Sequence, residues 1–286
     1  MGVRVLIVSP RRRFRVPVEA ACLSPDRISE LTLEEIERLK AYEGNRLVKL
    51  GEIFRLREEG DASSDSVRLV LEGDFGKVWR IGEGMKSGEI VVKGDVGHFL
   101  GFRMAGGSIQ VHGNAGSWVG AEMRGGVIEV HGNAGDHVGA VLRGERPSKG
   151  MCGGTIVVHG DVGAEAGAGM RKGAIIVNGN CGYLPGVNMS GGSILVRGSC
   201  RGKAGARMRG GKVVICGHAG EVLPTFYLDD VVESVKVKGE RIEGPFYLFV
   251  GDVLGDVGCL GRLYVSVKGN KHLKALAEKL LGSRFG

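Results

Sequence analysis

Residues 101–140 read GFRMAGGSIQVHGNAGSWVGAEMRGGVIEVHGNAGDHVGA, and the second half nearly restates the first. Gly113-Asn114-Ala115-Gly116 returns as Gly132-Asn133-Ala134-Gly135, 19 residues later. The same step separates Gly94, Gly113 and Gly132, and again Gly160, Gly179, Gly198 and Gly217; between the two groups it is 28, one period plus a nine-residue insert. Methionine repeats the arithmetic independently. Met85, Met104 and Met123, then Met151, Met170, Met189 and Met208, keep the step of 19 with the same jump of 28, and of the 8 methionines only Met1 lies off this ladder.

Aligned on these marks, seven units of G-x-x-M-x-x-G-x-I-x-V-x-G run over 82–94, 101–113, 120–132, 148–160, 167–179, 186–198 and 205–217, the fourth opening with Ser148. Pairs such as Ile109/Val111 and Ile128/Val130 alternate with variable residues, the period and β-branching of a strand. One short strand per 19 residues is too tight a cycle for a βαβ unit. A unit this small cannot bury its own apolar face and must stack on its neighbours. The expected fold is therefore mainly β: a right-handed, single-stranded parallel β-helix of seven to eight units over residues 67–220, with the Ile/Val and Met columns inside. Val67–Gly76 reads as a degraded first unit. Glycine, 52 of 286 residues, supplies tight corners, with Asp or Asn in the turns.

The flanks differ. Residues 1–66 carry more charge, a Ser24-Pro25 helix start, and a capping-box pattern of Thr32 with Glu35 before EEIERLKA. Residues 221–286 contain two strand-like stretches, FYLFVGDV and RLYVSV, then the amphipathic NKHLKALAEKLLG with Gly282 as its stop. Both flanks are expected to act as small α/β caps over the ends of the repeat, and the N-terminal one also to grip a partner.

The chemistry-bearing residues do not assemble into a reaction centre. The six cysteines contain no C-x-x-C, so neither an Fe–S cluster nor a structural zinc site is expected. Gly163, Gly167 and Gly169 imitate a phosphate loop but fall on repeat corners, and no G-x4-G-K-[ST] occurs. His112, His131 and His159 share one outward slot, read as an exposed side-chain ladder; Cys181 and Cys200 share an inward slot and read as small hydrophobes. No stacked acidic pair of the kind that cleaves polysaccharides stands out. No catalytic, cofactor-binding or metal-binding residue is thus assigned. The net charge of +7 permits anionic partners, but Arg11-Arg12-Arg13-Phe14-Arg15 comes without an RNA- or DNA-reading motif, and no nucleic-acid partner is expected. The opening MGVRVLIVSPRRR has its charges on the wrong side of its apolar run for a signal peptide, and no run is long enough to span a bilayer, so a cytoplasmic location without membrane insertion is expected. The insert is the exception to the regularity. Arg143, Glu145, Arg146 and Lys149 must project from the stack, and they are the candidate partner interface.

The repeated unit resembles the glycine-rich β-helix shared by the C-terminal domain of glutamate synthase large subunits and the C subunit of formylmethanofuran dehydrogenase. The flanks PVEAACLSPDRISELTLEEI and YEGNRLVKLGEIF, the closing FYLFVGDV…GRLYV…KGNKHL and the insert RGERPSKGM resemble the pattern of the dehydrogenase component. The resemblance implies a scaffold subunit of an oxidoreductase complex that reduces CO2, with methanofuran, to formylmethanofuran. It implies partners: a molybdopterin subunit with tungsten or molybdenum, a metal-dependent amidohydrolase-like subunit, and ferredoxin-like chains with Fe–S clusters. It carries over no catalytic residue, because the matched motif is structural. Two alternatives stand beside it: the C subunit of the methylotroph formyltransferase/hydrolase complex, and a stand-alone β-helical carbohydrate-active protein.

Overall fold

The computed structural model describes residues 2–60, 66–146, 149–254 and 258–282. The apolar pairs of the repeat form strands as the alternation predicts: Glu89–Val92, Ser108–Val111, Val127–Val130, Cys152–Val158, Lys172–Val177, Ser190–Val196 and Gly210–Ile215. Each pairs in parallel with the next, with Ile90, Ile109, Ile128, Ile156, Ile175, Ile194 and Val213 in one register row. That row, the Val92-to-Ile215 row beside it and all seven repeat methionines are at most 1% exposed. The degraded unit joins them, Val67–Leu71 pairing with Glu89–Val92 and Phe75 bridging to Val96.

The expectation of a right-handed, single-stranded parallel β-helix closed by separate small α/β caps is corrected by the pairing of the flanks. One mixed sheet of 13 strands runs Tyr227–Val237, Glu240–Gly251, Gly261–Ser266, then backward through the repeat strands to Val67–Leu71, Arg4–Pro10 and Phe54–Gly60. It is parallel from Arg4–Pro10 to Gly261–Ser266 and antiparallel at both ends. The physical reason lies in the edges. A terminal repeat strand presents unpaired N–H and C=O groups, and the flanking strands satisfy them by hydrogen bonding in plane. The repeat pattern by itself counts only the strands that repeat.

A 4-stranded sheet orders Arg46–Lys49, Lys40–Glu43, Val18–Glu19 and Val78–Trp79, so the N-terminal flank also pairs beside the first repeat unit. Buried Arg4 fastens this end, donating to Glu58 and to the carbonyls of Ile28, Ser29 and Leu31. Four short α-helices and one 3-10 turn, Lys271–Leu273, complete the described residues. Leu33–Arg38 has the predicted capping box, with the Glu35 N–H donating to Thr32 Oγ1 and the Thr32 N–H to Glu35. Pro25–Ile28 starts at a proline, though the Ser24 hydroxyl donates to Asp26 instead of capping the backbone. Lys274–Leu281 ends at Gly282 with φ 63°.

Glycine is a spacing rule here. A Cβ on Gly132 would sit 2.6 Å from both Gly113 O and Asn114 Oδ1, and one on Gly126, at φ +83°, 2.7 Å from Gly107 O and Met104 Cε. Neighbouring backbones pack too closely for any side chain there. The turn residues bond in a row alongside. Asn114 N–H donates to Asp95 Oδ1, Asn133 to Asn114, Asp161 to Asn133, Asn180 to Asp161 and Ser199 to Asn180, at 2.6–2.9 Å. Fully buried Asn270, from the C-terminal flank, ends the series: its Oδ1 accepts from Ala219 N–H and its Nδ2 donates to Gly217 O.

Candidate functional site

The site can be built from one corner of the repeat. Arg80, Phe99, Trp118, His137, Glu165, Leu184 and Lys203 hold the same position in successive units, and all have φ between +57° and +68°. A non-glycine residue in this region costs roughly 1–2 kcal/mol. The neighbouring unit holds it there: Phe99 N–H donates to Ser117 O, Trp118 to Asp136 O, His137 to Ala164 O and Glu165 to Tyr183 O, at 2.8–3.0 Å. The side chains then stack along the corner. Phe99 and Trp118 lie 5.8 Å apart with planes 13° apart, and Trp118 and His137 4.1 Å apart at 25°.

A second left-handed row runs beside it. Arg103 (φ 56°) and Glu122 (φ 55°) are paired at 2.9 Å, with the Glu122 side chain only 7% exposed. A carboxylate so enclosed requires its partner. Arg103 also stacks over Phe102 at 4.6 Å. His137 is buried too. Burial lowers its pKa; Glu165, 3.4 Å away, opposes this, and the charge of Arg143 reinforces it.

The predicted insert leaves from this corner: Ala140 N–H donates to His137 O and Leu142 N–H to Glu122 Oε1. Arg143, Arg146 and Lys149 are exposed and Glu145 is half-buried. The insert is internally tied, with Lys149 Nζ on Glu145 Oε2, Lys149 N–H on Arg146 O and Glu145 N–H on Leu142 O. Pairing with Lys149, and secondarily the charge of Arg103, holds the Glu145 carboxyl below its usual range. Pro147 and Ser148 lie outside the described residues. The structure thus brings Arg143 and Glu145 to an aromatic and arginine-bearing edge. The corner row escaped sequence reasoning, although Phe99, Trp118 and His137 are themselves 19 apart; of the outward positions only the histidine slot was read. A further apolar spot at Val253, Leu254 and Leu260, 63–74% exposed, had no periodic signal.

The other predicted positions fall as follows. His112, His131 and His159 are exposed and stack face to face at 5.3 and 5.0 Å. Cys181 and Cys200 are buried, 3% and 2% exposed, and pair in register. Burial pushes the Cys200 thiol up to about 11 and Cys181 higher still. They border an open groove of about 720 Å³ with Asp136, Asp161, Tyr183 and His218, but neither is a thiolate nucleophile at neutral pH. No helix among the described residues is long and apolar enough to cross a membrane.

No protein-family model matches the chain. Its sequence is similar to the C subunit of the molybdenum-containing formylmethanofuran dehydrogenase 1 of Methanothermobacter marburgensis, 41% identical over 95 residues, 33% of this chain and 23% of that one. It is similar to the C subunit of the tungsten-containing formylmethanofuran dehydrogenase 2 of Methanothermobacter thermautotrophicus, 39% identical over 96 residues, 34% of this chain and 36% of that one. The chain thus spans between about a quarter and about a third of the length of the curated relatives it matches. Among solved structures, a chain from the formyltransferase/hydrolase complex (FhcABCD) of Methylorubrum extorquens, crystallised with methylofuran, superposes with a TM-score of 0.78 at 29% identity, covering 91% of this chain and 99% of that one. About a third of this chain is thus similar in sequence to formylmethanofuran dehydrogenase C subunits, and nearly all of it is similar in fold to a chain of the formyltransferase/hydrolase complex.

Proposed function

We propose that the chain is the non-catalytic scaffold, the C subunit, of a formylmethanofuran dehydrogenase complex, in which other subunits reduce CO2 and condense the product with methanofuran. The observation that carries this reading is the 39–41% identity to the C subunits of both the molybdenum and the tungsten enzymes. The geometry supports it. Aromatic and arginine side chains concentrate on one edge beside a charged insert, the composition of a protein interface rather than of a small-molecule pocket. On this reading the partners are a molybdopterin subunit, an amidohydrolase-like subunit and ferredoxin-like chains. Arg143, Glu145, Arg146 and Lys149 meet one of them together with Phe99 and Trp118.

A second reading, the C subunit of a formyltransferase/hydrolase complex, is favoured by the near-complete superposition on that assembly. Native purification with mass spectrometry and metal analysis separates the two. Tungsten or molybdenum with iron and methanofuran-dependent CO2 reduction establishes the dehydrogenase; formyl transfer and hydrolysis without either metal establishes the other. A solitary 30.2 kDa protein overturns both. Replacing Arg143 and Arg146 with Glu reverses two exposed charges, and is expected to reduce co-purification several-fold while the melting temperature stays unchanged. Undiminished assembly would remove the insert from the interface.

A further inference from the structure

The outer-face histidines acquire a partner that their spacing did not reveal. Glu129 lies in the strand Val127–Val130 and His131 just beyond it, so period two sends both side chains outward. His159 fills the slot of His131 on the adjacent parallel strand. Among the described residues, Glu129, His131 and His159 are the one group of three whose ligand atoms all lie within 4.8 Å of one another, and His159 Nε2 is 2.7 Å from Glu129 Oε1. We propose that these three residues form a binding site for a divalent transition metal of the zinc, cobalt or nickel type.

Two imidazoles and one carboxylate are the donor set of open-sided zinc centres and suit cobalt and nickel equally. Metal–ligand distances of about 2.0–2.2 Å bring tetrahedral donors to roughly 3.4 Å from one another. From separations of at most 4.8 Å, rotation of side chains that are about two-fifths exposed covers the difference on a fixed backbone. The rings now lie parallel within 7°, so binding also tilts them until their lone pairs converge. The ion replaces the proton shared by His159 and Glu129.

A surrounding shell exists as well. His159 Nδ1 is 3.1 Å from Asn178 Nδ2, and Asn178 Oδ1 accepts from Arg197 at 3.2 Å. Metal on Nε2 moves the imidazole proton to Nδ1. The amide then turns so that its oxygen accepts that proton, and Arg197 retains Glu240 at 2.7 Å. Such outer partners fix the tautomer and orientation of a metal-bound histidine. Gln110 Nε2, 3.2 Å from His131 Nε2, stands where a fourth ligand would enter, either its own amide oxygen or solvent. His112, stacked on the far side of His131, is a bystander in this arrangement.

The test uses the full chain, stripped with chelator and kept in a non-thiol reductant, titrated with Zn2+ by competition against a fluorescent chelator and with Co2+ by absorption. One equivalent is expected to bind with nitrogen–oxygen d–d bands. His131→Ala, His159→Ala and the isosteric Glu129→Gln each weaken binding by at least about tenfold, Asn178→Ala by about tenfold, and His112→Ala leaves it unchanged. Equal melting temperatures of the metal-free variants show that the surface substitutions leave the fold intact. Thiolate-to-cobalt charge-transfer bands, undiminished affinity in the His131→Ala/His159→Ala double variant, or no saturable binding would each overturn the site. These results do not depend on whether the chain belongs to a dehydrogenase.

Discussion

Two stretches of one outward row behave oppositely. In the middle of the sheet the row holds Gln110 and Glu129, both half-exposed; toward the C-terminal end it holds Leu195 and Val214, fully buried, and Tyr264, 8% exposed. The strand geometry is the same throughout. What differs is the hairpin Tyr227–Val237/Glu240–Gly251, whose Val235, Val237, Ile242 and Phe246 pack onto Leu195, Val214 and Tyr264 as a second apolar cluster. Register shifts between Leu228/Asp230 and Val232/Ser234 bend it over the face, as bulges do. The Arg197–Glu240 ion pair and a bond from Lys212 Nζ to Lys236 O pin its far end. The outward slot is neutral to the fold until something covers it. Where this chain covers it, the slot is apolar. Where it does not, the slot is free to carry polar Gln110 and Glu129, the latter beside His131 and His159.

The contrast can be broken from the inside first. Ile128 is fully buried between Ile109 and Ile156, and Ile128→Asp puts an unpaired charge into that row. A loss of more than about 4 kcal/mol is expected, enough to abolish cooperative unfolding monitored by circular dichroism. A near-normal melting curve would sink the assignment of this row to the core. The outward row gives a graded result. Val214→Asp is expected to cost about 3 kcal/mol and expose the hairpin to proteolysis. Gln110→Val, in the same row but uncovered, is expected to stay within about 0.5 kcal/mol. Equal effects in denaturant titrations would mean that the hairpin does not define the difference.

The smallest effect is one of pH. Burial, partly offset by Glu165 and reinforced by Arg143, holds the folded-state pKa of His137 below its unfolded value of about 6.5. Its contribution is intact above that value. As pH falls below it, the unfolded chain takes up the proton first and stability declines. Melting temperatures followed from neutral to mildly acidic pH should fall less steeply for His137→Gln than for the parent. Parallel curves would show that His137 does not contribute to the acid limb.

Much of the architecture was legible because stacking imposes identity. Every unit meets the same neighbours, so Ile, Val, Met and Gly recur at fixed spacing, and strand positions, the inward rows and the burial of Cys181 and Cys200 followed from counting. The capping box at Thr32 and the stop at Gly282 were legible for local reasons. The insert was legible as an interruption of the period. The membership of the flanks in the main sheet was not. In-plane pairing of Phe54–Gly60 with Arg4–Pro10, and of the C-terminal hairpin with Gly261–Ser266, depends on contacts between segments with no shared pattern.

The functional surface divides along the same line. The 19-residue period, the inward apolar rows and the recurrence of glycine could be read from the chain alone, because each follows from a unit lying against a copy of itself, and the insert because it interrupts that period. It took the tertiary structure to show that the sheet is mixed and 13-stranded, that Phe99, Trp118 and His137 stack in a left-handed corner, and that Glu129 reaches His159 across strands. The flank pairing and the Glu129–His159 contact join different positions, and a repeat constrains only like positions; the corner row is periodic in place, but its side chains change from unit to unit.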